Sequence, residues 1–344
     1  MTDWDLPADL NAASWERMAP ITPRSYVCYA TADPPRIDGR LDDEAWEDAP
    51  WTDAFVDIEG ASKPAPRYET RVAMRWDERH LYIAARMEEP HVWGTLTGRN
   101  SVIFQDKDFE VFIDPDGDHH NYYELEVNAL NTIWELTLEK PYRDGGPAIS
   151  PTNIPGLRSA VYVEGTLNAP HDTDAYWTVE VAIPWEGLAR YGTVPPEDGA
   201  QWRVNFSRVH WEHEIAGDAY RKVPETPEQN WVWSPQGVID MHRPERWGFV
   251  QFSRAAPGAS SFEPDPTLEA RDALMAVYYA QKAYFEEHGE WAQRLSQLAE
   301  GSNLPSDVHL TPQAGGWTAA TRAVIDGRQR TLEVHHDSRI LILP

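Results

Sequence analysis

The chain has 344 residues, 56 acidic against 30 basic, for a formal charge of −26 at pH 7. Such a charge repels phosphate backbones and anionic lipid surfaces, which excludes nucleic acid as a favoured partner, and the absence of any apolar run near the roughly 18 residues of a spanning helix excludes membrane insertion. The single cysteine, Cys28, leaves no intrachain disulfide and no multi-cysteine zinc site; between Val27 and Tyr29 it reads as a buried strand thiol.

Residues 1–24 are polar, contain proline and keep no sustained period, so they read as an N-terminal extension. The start, Met1-Thr2-Asp3-Trp4-Asp5, has no basic stretch followed by an apolar one. The expectation is therefore a cytoplasmic protein as the sequence stands, or an extracellular or periplasmic one where a leader has been removed.

From Ser25 to Arg254 short alternating or apolar runs are broken by Asp, Gly and Pro, with strands expected at 71–76, 80–87, 109–113, 122–127, 133–138, 160–164, 176–183, 201–209 and 247–252. Asp77-Glu78-Arg79-His80 and Asp114-Pro115-Asp116-Gly117-Asp118 are short polar connections between such runs and read as turns between antiparallel neighbours. The fold class expected over residues 25–254 is thus mainly β, an antiparallel β-sandwich. Residues 255–264, opening Ala255-Ala256-Pro257-Gly258, are linker-like. Over 265–344 follows an appendage of one helix plus a small β-hairpin unit. The helix starts at Asp265-Pro266-Thr267 with apolar residues at Leu268, Met275, Tyr278, Tyr279, Phe285 and Leu295, and Gly289 is a candidate break. Asp326-Gly327 is the turn signal of the hairpin, and 339–343 adds a strand.

Sixteen Trp and 14 Tyr give more large amphipathic aromatic surface than a core of this size requires. Flat aromatic faces stack on the C–H faces of pyranose rings, so part of that surface is expected to meet a sugar. Asp114, Asp116 and Asp118, at alternate positions, form a spacing that gathers hard oxygen ligands for calcium, although Gly117 and Leu125 do not match an EF-hand loop.

Four stretches occur in an order that carries a resemblance. They are Pro35-Arg36-Ile37-Asp38-Gly39-Arg40-Leu41-Asp42-Asp43-Glu44-Ala45-Trp46, then 108–114 with 122–128, then 177–185, and finally His242-Arg243-Pro244-Glu245-Arg246-Trp247-Gly248. Together they resemble carbohydrate-binding module family 9 and the related DOMON-like sandwiches, over about two-thirds of the chain. The resemblance implies non-catalytic binding of a plant-type polysaccharide or oligosaccharide, in carbohydrate catabolism. Two tryptophans would clamp a sugar ring while Arg, Glu, Gln and Asn side chains bond its hydroxyls. On this sequence it points to Arg99, to Asn230 with Trp233, and to Trp76 or Trp93 for the first clamp position. The glutamine is Gln105 or absent. Glu110, Glu126 and Asn128 would face the ligand groove, with Trp134 and Asn131 as lesser candidates. A structural calcium is implied at Asp114, Asp116 and Asp118, and no organic cofactor. Two other classes compete. One is a haem b-binding, cytochrome-like sandwich, with Met74, Met87, His80 and His91 as its candidate ligands. The other is a glycoside hydrolase drawing on Glu110, Glu124, Glu126 and Glu180.

Overall fold

A computed structural model describes residues 12–298, 304 and 307–343. Its first half contains β1 (Ser25–Ala30), β2 (Val56–Asp57), β3 (Thr70–Trp76), β4 (His80–Glu88), β5 (Asp108–Asp114), β6 (Tyr122–Asn128), β7 (Ile133–Leu138) and β8 (Ala148–Ile149). The chain continues through β9 (Arg158–Glu164), β10 (Tyr176–Pro184), β11 (Gln201–His210), the hairpin β12 (His213–Ala216) and β13 (Ala219–Lys222), β14 (Gln229–Val232) and β15 (Gly248–Ser253). Apart from the β12–β13 hairpin these strands form one sheet, in the order β8-β7-β6-β5-β11-β15-β1-β3-β4-β10-β9, with β14 on β11 and β2 on β14.

The sheet curls until its two halves face each other. Val72, Met74, Leu81, Ile83, Val179 and Val181 from one half share a core with Phe109, Val111, Tyr123 and Leu125 from the other. This is the expected sandwich, with one departure: β1 runs parallel to both its neighbours, β15 and β3, so the sheet is mixed. A parallel pair needs a long crossover rather than a tight turn, and the segment between β1 and β3 supplies it.

That crossover holds the Asp38-Gly39 motif. The backbone N–H groups of Asp38 and Gly39 donate to Glu180 Oε2 at 3.0 and 2.7 Å, and the Trp46 indole N–H donates to Glu180 Oε1 at 2.7 Å. Gly39 has φ +85°, and a Cβ there would lie 2.6 Å from the Val161 carbonyl carbon, so only glycine fits this approach to β9. The β3–β4 turn forms as expected, with Asp77 Oδ1 accepting from Arg79 N and His80 N at 2.7 and 2.8 Å.

The helix Leu268–His288 ends at Gly289 in the left-handed conformation. It packs on a four-stranded antiparallel sheet, β16 (His309–Gln313), β17 (Gly316–Ile325), β18 (Arg328–His335) and β19 (Ile340–Leu343), so the appendage holds more sheet than one hairpin. Asp326 and Gly327 both take positive φ in the β17–β18 turn. The start of the N-terminal extension lies outside the described residues; Ala12–Met18 is a short helix whose Trp15 stacks on Tyr279 of the long helix at 5.5 Å. Residues of the 255–264 segment lie along the sandwich, where Tyr29 and Gln251 donate to the carbonyls of Ser260 and Ser261.

Buried ionic contacts join helix and sandwich. Arg143 Nη2 donates to Glu245 Oε2 at 3.0 Å, the Tyr279 hydroxyl donates to Glu245 Oε1 at 2.5 Å, and Lys282 Nζ donates to Asp144 Oδ1 at 2.7 Å.

Candidate functional site

Strand alternation divides β5 and β6 cleanly. Phe109, Val111, Tyr123 and Leu125 point into the main core, which leaves Asp108, Glu110, Phe112, Glu124, Glu126 and Asn128 on the opposite face of the sheet. Register then brings the acids together: Glu110 pairs with Glu126, Asp108 with Asn128, and Phe112 with Glu124, while Ser207 of β11 stands opposite Glu110 and Trp134 of β7 opposite Glu126.

Over this face lies a cavity of about 270 Å³. Its floor is Glu110, Phe112, Glu124 and Glu126; Asn230 and Glu228 form one side, and Asp240, Met241 and His242 another. Trp134, Tyr142 and Phe104 stand at its half-buried margins, and Ile239 is exposed at its rim. The Trp134 indole N–H is anchored on Ser150 Oγ at 2.8 Å. Behind Tyr142, the wall is fixed by the appendage interface, because Arg143 Nη1 donates to the His242 carbonyl at 2.8 Å and the Tyr142 and His242 rings meet edge to face at 4.6 Å.

The floor is electrostatically crowded. Burial pushes the Glu110 carboxyl up to about 7, and the charge of Glu228 adds to this. Burial, and then the charge of Glu110, hold Asp108, Glu124 and Glu126 well above the ordinary carboxylate range. His242 goes the other way, pushed down to about 4 by burial, and is neutral at pH 7.

The cavity gathers Glu110, Glu124, Glu126, Asn230 and Trp134 from among the residues singled out in the sequence. Asn128 lies next to the floor but is used up structurally: its Nδ2 donates to Leu96 O and Asp106, and its Oδ1 accepts from the backbone N–H groups of Leu130 and Thr132. Arg99 is on the other side of the sheet, paired with Glu135, which also accepts from the Tyr123 hydroxyl. Gln105 is exposed, and Asn131 donates to Ser159 O.

None of the three clamp tryptophans lines the cavity. Trp76 is wholly buried in the main core, its indole N–H on Cys28 O. Trp233 is sealed beneath β15, where a Cβ on Gly248 would fall 2.4 Å from its ring, and it meets the Phe206 ring at a tilt of 46°. Trp93 lies under the β12–β13 hairpin, parallel to Tyr220 at 6.3 Å. Met74 and Met87 are core residues, and His80 faces Asp77. Glu180 is engaged by the Asp38-Gly39 segment, away from Glu110, Glu124 and Glu126.

The acidic turn between β5 and β6 is a second feature. Asp114, Asp116 and Asp118 offer oxygens that lie within 4.8 Å of one another. Asp114 already accepts from Gly117 N and His119 N, each at 3.0 Å, and Asp118 Oδ2 from Arg339 Nε at 2.8 Å. Burial and the two neighbouring charges raise the Asp114 carboxyl well above its usual range.

The model of the carbohydrate family 9 binding domain-like family matches residues 37–234, more than half of the chain and the whole of the cavity floor. The chain belongs to this family. Family 9 modules bind and do not catalyse. An exoglucanase, XynX, of Acetivibrio thermocellus is 28% identical over 166 residues, 47% of this chain but 12% of that protein, so the chain spans about an eighth of the length of this relative. Among solved structures, a protein of Bacteroides uniformis assigned as carbohydrate-binding superposes with a TM-score of 0.51 and 18% identity, over 67% of this chain and all of that one; this shows the shared fold. A family 9 module of Caldicellulosiruptor kristjanssonii in complex with cellotriose aligns with a TM-score of 0.42 and 17% identity, over 70% of this chain and all of its own.

Proposed function

We propose that this family 9 chain binds a plant-type oligosaccharide or polysaccharide segment, without cleaving it, in the cavity over β5, β6, β7 and β11. The observation that carries the reading is the pairing of apolar margin and polar floor in one hollow. Trp134, Tyr142 and Phe104 offer apolar faces, while Glu110, Glu124, Glu126 and Asn230 offer hydrogen-bonding groups beneath them. A pyranose ring needs both, a flat C–H face to cover and a ring of hydroxyls to satisfy. The volume falls near the lower end of the roughly 300–1,000 Å³ range of small-molecule sites, which favours a short segment or chain end over a long stretch of polymer.

Trp134 and Tyr142 thereby take the part that the family resemblance gave to a tryptophan clamp, and Arg99 stays structural. Binding without cleavage accords with the family, and Glu110 and Glu126 sit side by side on adjacent strands rather than facing each other across the cavity. Calorimetry against β-linked gluco- and xylo-oligosaccharides tests the reading. Trp134→Ala should weaken the best ligand by about 1–3 kcal/mol without unfolding the protein, whereas Arg99→Ala should not. Equal affinity of wild type and folded Trp134→Ala would overturn the placement.

For the acidic turn we infer a structural calcium. The oxygens of Asp114, Asp116 and Asp118 are spaced so that a single ion with bonds of about 2.3–2.6 Å reaches all three. The ion would brace a turn that Arg271 also holds, through a bond from Nη1 to Gly117 O at 2.7 Å. Among the described residues no helix is long and apolar enough to cross a membrane.

A further inference from the structure

We propose that Glu110 and Glu126 of the cavity floor, together with Asp108 on the same sheet face, form a divalent-cation site of the calcium class, and that the bound ion holds the sugar through its hydroxyl groups. This rests on the reading of the cavity as the carbohydrate site and adds the chemistry by which the ligand is held.

Three geometric facts converge. Each of these side chains offers a carboxylate oxygen, and the three oxygens lie within 4.8 Å of one another, close enough for one ion with oxygen bonds of about 2.3–2.6 Å. They are not surface acids: all three residues are at most 5% exposed. Their hydrogen bonds leave oxygens free, since Asp108 Oδ1 accepts from Val209 N and Glu126 Oε2 from Phe104 N, while Asp108 Oδ2 has no partner.

A second and independent observation points into the same space. Glu124, 4% exposed, lines the cavity with Oε2 unpartnered. Buried polar atoms without partners are uncommon in folded proteins, and two on this one sheet face, Asp108 Oδ2 and Glu124 Oε2, mark the place of a ligand. The cavity lining includes no Lys or Arg among the described residues, and the ammonium of nearby Lys222 sits 3.5 Å over the Trp211 ring. Repulsion among carboxylates at this spacing is therefore relieved by no cation of the lining and only from its edge by Lys222, which is attracted to Asp108 and Glu228, whereas a divalent ion relieves it directly. Calcium takes six to eight oxygens. Three protein carboxylates leave positions open toward the cavity, where adjacent hydroxyls of a sugar fit as paired neutral ligands beneath Trp134 and Tyr142.

The test uses the full chain with Asp116→Asn, which silences the separate acidic turn. Calorimetric titration with calcium chloride alone should show one site, and Glu126→Gln should weaken it at least tenfold. Terbium luminescence gives a readout that needs no ligand-residue variant. Trp134 stands opposite Glu126 in register, so Trp134→Phe should cut tryptophan-sensitised emission sharply while calcium affinity is retained. Cellotriose and xylotriose are then titrated with calcium and with EDTA, and affinity for the sugar that binds should fall at least tenfold in EDTA. The absence of calcium binding in the Asp116→Asn protein overturns the cation site. Sugar binding of equal strength in EDTA overturns the bridging role while leaving the cavity as the sugar site. Calcium binding lost in Glu126→Gln, with no sugar bound under any condition, supports the cation site and overturns the carbohydrate reading.

Discussion

Replacing Glu245 by alanine probes the joint between sandwich and appendage. Glu245 and Arg143 are each 2% exposed at their side chains and 3.0 Å apart, and Tyr279 of the long helix donates to the other carboxylate oxygen. Removing one partner of a buried pair costs about 3–5 kcal/mol, because the remaining charge stays desolvated. Asp144, 3.7 Å from Arg143, keeps part of the compensation, which places the expected loss near the lower end, about 3 kcal/mol. The titration of the same group gives an independent magnitude. Burial opposes ionisation of Glu245, but Arg143, His119, Arg243 and the Tyr279 hydroxyl together outweigh it and hold the carboxyl down from 4.5 to about 2. At about 1.4 kcal/mol per pH unit this again corresponds to about 3 kcal/mol. Since the folded value lies below the unfolded one, the contribution is complete above pH 4.5 and is lost as pH falls toward 2. Guanidinium unfolding of wild type, Glu245→Ala and Glu245→Gln at pH 7, 4 and 2.5 measures both effects. The joint predicts one cooperative transition for helix and sandwich, and a gap between wild type and Glu245→Gln that narrows with acid. A loss under about 1 kcal/mol for Glu245→Ala, or a gap that does not change with pH, would refute the reasoning.

Gly39→Ala should destabilise the fold by more than about 2 kcal/mol in the same assay, since the left-handed conformation alone costs about 1–2 kcal/mol and the Val161 backbone must also move. Chelation should lower the melting temperature of wild type, and at low calcium Asp116→Asn should be less sensitive to chelator, because an ion that binds only the folded turn stabilises it by mass action. A melting temperature indifferent to calcium in both proteins would leave the turn held by its own hydrogen bonds, Arg271 and Arg339.

Much of the sandwich was legible because alternation speaks directly about faces. Phe109-Glu110-Val111 and Leu125-Glu126-Val127 announce one apolar and one acidic face, and Asp-Gly turns locate reversals at 38–39 and 326–327. The direction of β1 was not legible, since no local pattern reports whether a strand's neighbours run parallel to it. The tryptophans were harder for a related reason. In a doubly covered sheet both faces carry large residues, so Trp76 and Trp233 read like Trp134 although only Trp134 borders the cavity. Register offered a usable clue: the turn at Leu130-Asn131 sets Trp134 against Glu126 and thus on the acidic face. Tyr142, Asp240, Met241 and His242 lie outside the strands, and it is the tertiary contact of Arg143 with Glu245 and the His242 carbonyl that brings the wall together.

The proposed function places carbohydrate in the cavity over β5, β6 and β7. A crystal structure of the protein with its best-binding oligosaccharide, grown with calcium, tests it directly. A sugar ring should lie against Trp134 and Tyr142, with hydroxyls directed to the floor of Glu110, Glu124 and Glu126 and to Asn230. Trp51, 37% exposed, borders a separate hollow with Tyr162 and Tyr176 on the other half of the sheet. Sugar density there, with the cavity over Glu110 and Glu126 filled only by water, would move the binding site to the Trp51 hollow.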